Sequence, residues 1–216
     1  MGGEGNAVIA AKDAEGTILW SWHIWCTDAP QEHKYINSAG TFYVMDRNMG
    51  ATRGDRGTGD EWKESCGIEF FYGRKDPFES GYFTETNQQY TIEESIKNPT
   101  IKSNWNRLEG QWSATKKTIY DPCPVGYRVA SNDIWTGFSI TNATGEFQNG
   151  WNFIYDEEGN SAWYPTRAYQ TTSGIQYWGD NYMLSSTGTG GGIYFSSSNI
   201  RTITNDYGHI RCQKDE

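Results

Sequence analysis

Three histidines (His23, His33, His209) and four cysteines (Cys26, Cys66, Cys123, Cys212) are the side chains best suited to nucleophilic, acid–base or metal chemistry. Their spacing supports none of these. There is no Cys-x-x-Cys pair and no histidine at zinc-finger spacing, so neither a metal site nor a cofactor is expected. No histidine has the motif context of a Ser-His-Asp or Cys-His set, so no catalytic residue is assigned and the chain is not expected to be an enzyme. Gly188-Thr189-Gly190-Gly191-Gly192 lacks the lysine of a phosphate loop and reads as a connection. Arg53-Gly54-Asp55 spells the tripeptide read by integrins, a match that loops rich in glycine and charge produce by chance. An even number of scattered cysteines favours two disulfides in an oxidising compartment, with three pairings arithmetically open.

The side chains that could do chemistry of another kind, recognition, lie late in the chain. Gln176, Tyr177, Trp178, Asp180, Asn181 and Tyr182 form one group, and Arg201, Asn205, Asp206, Tyr207 and His209 a second. Rings give contact area at low entropy cost and polar groups set specificity, so this mixture on loops is expected to be a ligand-binding surface. Period-two alternation in the last strand sends Ile210 and Cys212 inward and leaves His209 and Arg211 outward.

The scaffold beneath must be aromatic. Ten Trp, fourteen Tyr and nine Phe accompany 25 Gly, whereas leucine occurs only at Leu19, Leu108 and Leu184. Helical domains rely on leucine for their apolar stripe, so short strands carrying rings are expected instead. A net charge of -9 leaves no basic surface for nucleic acid or for anionic membranes. No apolar run approaches the roughly 20 residues of a membrane span. Met1-Gly2-Gly3 carries no signal-peptide core and reads as a trimmed start. Residues 1–6 are therefore expected to be a linker remnant and 7–216 one domain.

Ala7–Ala11 and Ile18–Cys26 read as a hairpin around Lys12–Gly16. The second strand places Trp20, Trp22, Ile24 and Cys26 on one apolar face, expected to pack, and Leu19, Ser21, His23 and Trp25 on the other. Strands follow at Gly40–Asp46 and Ile68–Tyr72. Thr91 and Glu94 have the spacing of a capping box for a short helix, and Ser131 could cap a second over Ser131–Phe138. Trp151–Tyr155 and Ser161–Tyr164 flank a turn at Asp156–Asn160, and Ile193–Phe195, Ile200–Thr204 and Gly208–Cys212 complete the strands. Two helices early and strands late give an α+β expectation. Asp46, Arg47, Arg74, Lys75 and Asp76 are expected in buried ion pairs that hold loops.

Several of these segments form an ordered series. They are Ile18–Trp25, Met45-Asp46-Arg47-Asn48-Met49-Gly50-Ala51, Tyr72-Gly73-Arg74-Lys75-Asp76-Pro77-Phe78, Asp121-Pro122-Cys123-Pro124-Val125-Gly126-Tyr127-Arg128-Val129, Leu184-Ser185-Ser186-Thr187 and Ile210-Arg211-Cys212. The series resembles the Fibrobacter succinogenes major paralogous domain of Bacteroidetes surface proteins, within the C-type-lectin-like, formylglycine-generating-enzyme-like group. The resemblance implies a C-type-lectin-like fold with paired N- and C-terminal strands, two short helices, short antiparallel strands and long irregular loops. It also implies a Cys123–Cys212 disulfide; Cys26 and Cys66, additions to the family pattern, are then expected to pair with each other.

Relatives of this kind sit on lipoproteins, fimbrial subunits or pilus-tip adhesins, behind an upstream immunoglobulin-like or pilin domain. The implied role is a non-catalytic adhesin- or receptor-type domain at the extracellular cell surface, binding a host or bacterial glycan or protein, with no membrane insertion of its own. A structural pilus domain without a soluble ligand is the alternative. Some C-type-lectin-like domains are variable proteins of diversity-generating retroelements, which rewrite codons near the C-terminus. The copper thiol pair of the enzymatic relatives and the calcium motifs of classical lectins are both missing here.

Overall fold

The computed structural model describes residues 3–78, 90–100, 108, 110–171, 174–187 and 191–215. The chain is predominantly β, with 42% of the described residues in strands and 10% helical, and its largest sheet curls into a half-barrel. This overturns the expectation of a mixed α+β arrangement with two helices. One α-helix occurs among the described residues, Ile92–Lys97, and it carries the Thr91/Glu94 capping box. The second expected helix is a 3-10 turn at Asn132–Trp135, and Ser131 makes no capping bond to it. The adjacent residues Ile134 and Trp135 are both buried. Gly137 follows in the left-handed region at φ 91°, which stops the turn from extending toward Phe138 as a helix.

A hairpin of β1 (Gly5–Lys12) and β2 (Ile18–Cys26) opens the chain and, among the described residues, forms a two-stranded sheet of its own. Strands β3 (Glu32–Asn37), β4 (Gly40–Asn48), β5 (Glu69–Phe71) and β6 (Tyr127–Val129) follow. Next come β7 (Ala143–Thr144), β8 (Gly150–Ile154) and β9 (Ser161–Pro165), a three-stranded sheet, and the hairpin β10 (Ala168–Thr171) and β11 (Gly174–Tyr177). The chain closes through β12 (Asp180–Leu184), β13 (Gly191–Ser196), β14 (Ile200–Thr204) and β15 (Tyr207–Lys214). The largest sheet runs β14-β13-β12-β15-β4-β3, with β5 and β6 also on β15. The terminal strands therefore do not pair with each other: β15 bonds to β12, β4, β5 and β6.

β15 is the axis of the fold. From Gly208 to Gln213 every residue on it is buried, so both its faces are covered. Ile210 and Cys212 lie inward as alternation requires, but His209 and Arg211 are buried as well, contrary to their expected exposure. Arg211 is accommodated by stacking 3.8 Å over the Tyr164 ring and donating to Asn48 Oδ1 (3.1 Å) and the Trp163 carbonyl (2.7 Å). A cation over a ring with carbonyl acceptors replaces part of its lost hydration. Ile210 and Cys212 pack in one core cluster, and a second, aromatic cluster has Phe138 stacked on Phe153 at 4.6 Å and Tyr35 on Tyr155 at 4.8 Å. The expected ion pairs are present as Arg47–Asp46 (2.9 Å) and Lys75–Asp76 (2.5 Å).

The β1–β2 hairpin is present as expected, and Trp20 packs against Tyr120 and Lys75, but from Ser21 onward the face opposite to the expected one is the buried one. Ser21 is buried against Asp76 and the Trp25 indole donates to the Ala51 carbonyl. Trp22 and Ile24 face outward at 48% and 44% exposure. Hydrogen-bonding residues seat the hairpin, and the Trp22–Ile24–Cys26 part of its apolar face looks out.

Cys123 and Cys212 form a disulfide across 89 residues of sequence. The expected Cys26–Cys66 bond is not formed. Cys26 is exposed with the outer face of β2, whereas Cys66 is buried and its thiol donates to the Thr166 carbonyl at 3.2 Å. Burial pushes that thiol up to about 12. Among the described residues no helix is long and apolar enough to cross a membrane.

Candidate functional site

The polar-aromatic residues singled out late in the chain converge on one residue the sequence did not mark, Arg167. It precedes β10, and its backbone is fixed from both sides: its N–H donates to the Asp180 carbonyl (2.8 Å) and its carbonyl accepts from Trp178 N–H (3.0 Å). The guanidinium then reaches Asp180 Oδ1 through Nε at 3.2 Å. It lies 5.2 Å from the Trp178 ring centre and 5.0 Å from that of Tyr182, with the Tyr207 hydroxyl at 3.5 Å. Two rings and a carboxylate thus hold one cation in a fixed pose. Tyr194 extends the patch, 5.3 Å from Tyr182 and with its hydroxyl 3.5 Å from Asp180 Oδ2, and Arg201 sits 5.1 Å over Tyr194.

Trp178, Asp180, Tyr182, Arg201 and Tyr207 are therefore brought together around Arg167 and Tyr194. The remaining candidates go elsewhere. Tyr177 packs edge-on against Trp62 at 4.8 Å under Lys63. Gln176 is exposed, Asp206 is buried, and Asn205 donates to the Tyr207 carbonyl within its own turn. Asn181 and His209 are fully buried beneath the patch rather than on it. Of the glycine-rich connection, residues 188–190 lie outside the described residues, and Gly191 and Gly192 begin β13.

The layer beneath is electrostatically tense. Asn181 donates its amide to the Pro165 carbonyl at 2.7 Å, which turns its Oδ1 toward His209 Nδ1 at 2.8 Å. His209 must therefore carry its proton on Nδ1, leaving Nε2 as a bare acceptor with no partner among the described residues. Burial, with the Arg167 charge adding to it, pushes this imidazole down to about 3. Directly across the β5–β15 register stands Glu69, also fully buried, with Oε1 unpartnered among the described residues. Burial pushes Glu69 up to about 7; Arg167 opposes the shift and Asp180 reinforces it.

Sequence reading missed Arg167, Tyr194 and Glu69 for different reasons. Arg167 meets Asp180 only because the β10–β11 hairpin folds back between them. Tyr194 meets Tyr182 only through the β12–β13 register. Glu69 did leave a signal: it is a lone charge inside the aromatic run Ile68-Glu69-Phe70-Phe71.

No family model, curated protein or solved structure matches this chain. The arrangement itself suits recognition. A clamped guanidinium and carboxylate offer donors and acceptors side by side, and Trp178, at 48% exposure, offers a flat apolar face beside them.

Proposed function

We propose that this chain is a non-catalytic ligand-binding domain, of adhesin or receptor type, from a bacterial surface or pilus-associated protein. The ligand surface is centred on Arg167, Trp178, Asp180, Tyr182 and Tyr207. One observation carries the reading: the Arg167 guanidinium is held between Trp178 and Tyr182 while bonded to Asp180. A pre-ordered cation–aromatic–carboxylate group loses little entropy on binding, which is what a recognition site needs. The ligand is a host or bacterial surface glycan or protein. The Cys123–Cys212 disulfide supports an extracellular setting, since such bonds persist in oxidising compartments. The motif series of the Fibrobacter succinogenes major paralogous domain supports attachment behind a pilin or immunoglobulin-like domain. It also supports diversification of the late loops as the means of changing ligand.

The test is a glycan and protein array followed by a Trp178→Ala, Tyr207→Ala double variant with an unchanged melting temperature. Loss of binding, retained in chelator by the parent protein, is the expected result. Undiminished binding by the variant places the site elsewhere.

The alternative role, a structural assembly domain, has one observation in its favour. The outer face of the β1–β2 hairpin exposes Ile9 at 53% as well as Trp22 and Ile24, and clustered exposed apolar side chains mark association surfaces. Concentration-dependent sedimentation that vanishes in a Trp22→Ser, Ile24→Thr variant is the outcome that supports it.

A further inference from the structure

A cavity of about 410 Å³ shares no lining residue with the Arg167 surface. Its volume falls within the roughly 300–1,000 Å³ of small-molecule sites. The β8–β9 hairpin supplies its base. Asn152 and Trp163 are register partners there, and Ser161, two residues before Trp163, shares their face. The Trp163 ring is fixed because its indole N–H donates to Ser65 Oγ at 2.8 Å. His33 of β3 and Asp46 of β4 form one side, and the Arg53-Gly54-Asp55 loop forms the other.

The hydrogen-bonding state of these groups is uneven. The Asn152 amide and the Ser161 hydroxyl line the space without a side-chain hydrogen bond among the described residues. His33 also lines the space; its Nδ1 is shielded from solvent, so only the Nε2 edge of the ring is left for a ligand. The cations, in contrast, are spent. Arg47 gives Nε and Nη2 to the two oxygens of Asp46 and Nη1 to Asp28. Arg53 bonds Asp55 at 2.5 Å and faces Glu61 at 3.2 Å. Carboxylate oxygens keep further lone pairs, so the cavity offers acceptors and neutral donor–acceptor groups but no uncommitted positive charge. The loop is also seated rather than free: a Cβ on Gly54 would fall 2.4 Å from Asp46 Oδ2. This close approach explains the glycine, and the Arg53–Asp55 bond folds the tripeptide onto itself.

We propose that this cavity is a second ligand site, for a neutral hexose-sized polyol whose hydroxyls donate to Asp46 and Asp55 and exchange hydrogen bonds with Asn152, Ser161 and His33. Each sugar hydroxyl both donates and accepts, which matches a lining of carboxylates, amide, hydroxyl and imidazole. Burial, with Arg211 adding to it, holds His33 below the ordinary histidine value, so the ring enters neutral and able to accept. An anionic sugar meets Asp28, Asp46 and Asp55 with no unpaired cation to offset them.

The experiment is an NMR titration of the full chain with the methyl glycosides of glucose, galactose and mannose, and with glucuronate. The expected result is a saturable shift for at least one neutral glycoside, centred on Asn152, Ser161 and Trp163, with glucuronate weaker. Asn152→Ala, Ser161→Ala should weaken that binding about tenfold or more, while the Trp178→Ala, Tyr207→Ala variant leaves it intact. Should the first variant fail to fold, His33→Phe keeps the ring that stacks on Tyr155 at 5.2 Å and should weaken binding in the same direction. The proposal is overturned if no neutral glycoside gives a saturable shift, if glucuronate binds best, or if the shifts are lost in the Trp178→Ala, Tyr207→Ala variant. That last outcome would assign the sugar to the Arg167 surface, so failure here leaves the main reading separately testable.

Discussion

Strands β2 and β15 have the same kind of sequence, alternating rings or aliphatics with polar residues, yet β2 buries one face and β15 both. In β2 the polar side, Ser21 with His23 and Trp25, faces the body, and Trp22 and Ile24 face out. In β15 both sides are covered, so His209 and Arg211 are sealed in together with Ile210 and Cys212. The difference arises from neighbours. β2 has one partner strand and lies on the surface of the body, while β15 touches four strands at the centre of the sheet. Alternation tells which residues share a face; the layers around a strand decide which faces are dry.

The comparison is open to attack at several places, the largest effect first. Replacing Cys123 and Cys212 by serine should cost about 4–5 kcal/mol, the chain-entropy value for a loop of this length. In the native protein, thiol labelling should modify Cys26 readily and Cys66 only on unfolding; a mapped Cys26–Cys66 bond would contradict the outward face of β2. Ile210→Ala should cost about 2–5 kcal/mol in a urea melt, as for other fully buried aliphatic truncations.

Glu69→Gln separates the buried polar layer from ordinary packing by its pH dependence. The folded protein holds the Glu69 proton to about 7, whereas the unfolded chain releases it near 4.5. Between these values the native state binds more protons, so its stability falls as pH rises through that window. The amide variant lacks this loss and should gain about 3 kcal/mol over the parent at pH 8, with no gain below pH 4.5. His209 acts in the other direction: its folded value is depressed, so its contribution is lost as pH falls below 6.5 toward about 3. A pH-independent difference between parent and Glu69→Gln would show that the carboxyl is not held in a dry site.

Asn181→Ala leaves the Nδ1–H of His209 without its acceptor and should lower stability by about 1–3 kcal/mol. Trp22→Ser should do least, within about 0.5 kcal/mol, because the residue is on the outer face. Equal losses at Trp22 and Ile210 would erase the contrast between the two strands.

How much was legible in advance differs by feature. The β1–β2 and β8–β9 hairpins, the capping box at Thr91 and Glu94, and the Cys123–Cys212 bond were expected and are present. Turn residues, caps and strand alternation act over a few positions, so they are written locally; the disulfide came from the resemblance instead. Ser131 offers a plausible cap for a second helix, but Gly137, in the left-handed region, ends the chain's turn after Trp135. Of the candidate site, Trp178, Asp180, Tyr182 and Tyr207 were named from their types alone, but their organiser, Arg167, was not. Its partner Asp180 is thirteen residues away along the chain and reaches it only after β10 and β11 pair.

The sequence by itself determined a strand-rich, aromatic chain, its local turns, and a polar-aromatic character for the late segments, because composition and short-range sterics act without tertiary help. The tertiary structure alone decided that β15 would run through the centre, that Glu69 would face His209 in a dry layer, and that Arg167 would be clamped above it. It also decided that Asn152, Ser161 and His33 would line one cavity. Those outcomes depend on which distant strands share hydrogen bonds and which faces lose their water, and burial sets the charge state of a side chain only once that packing exists.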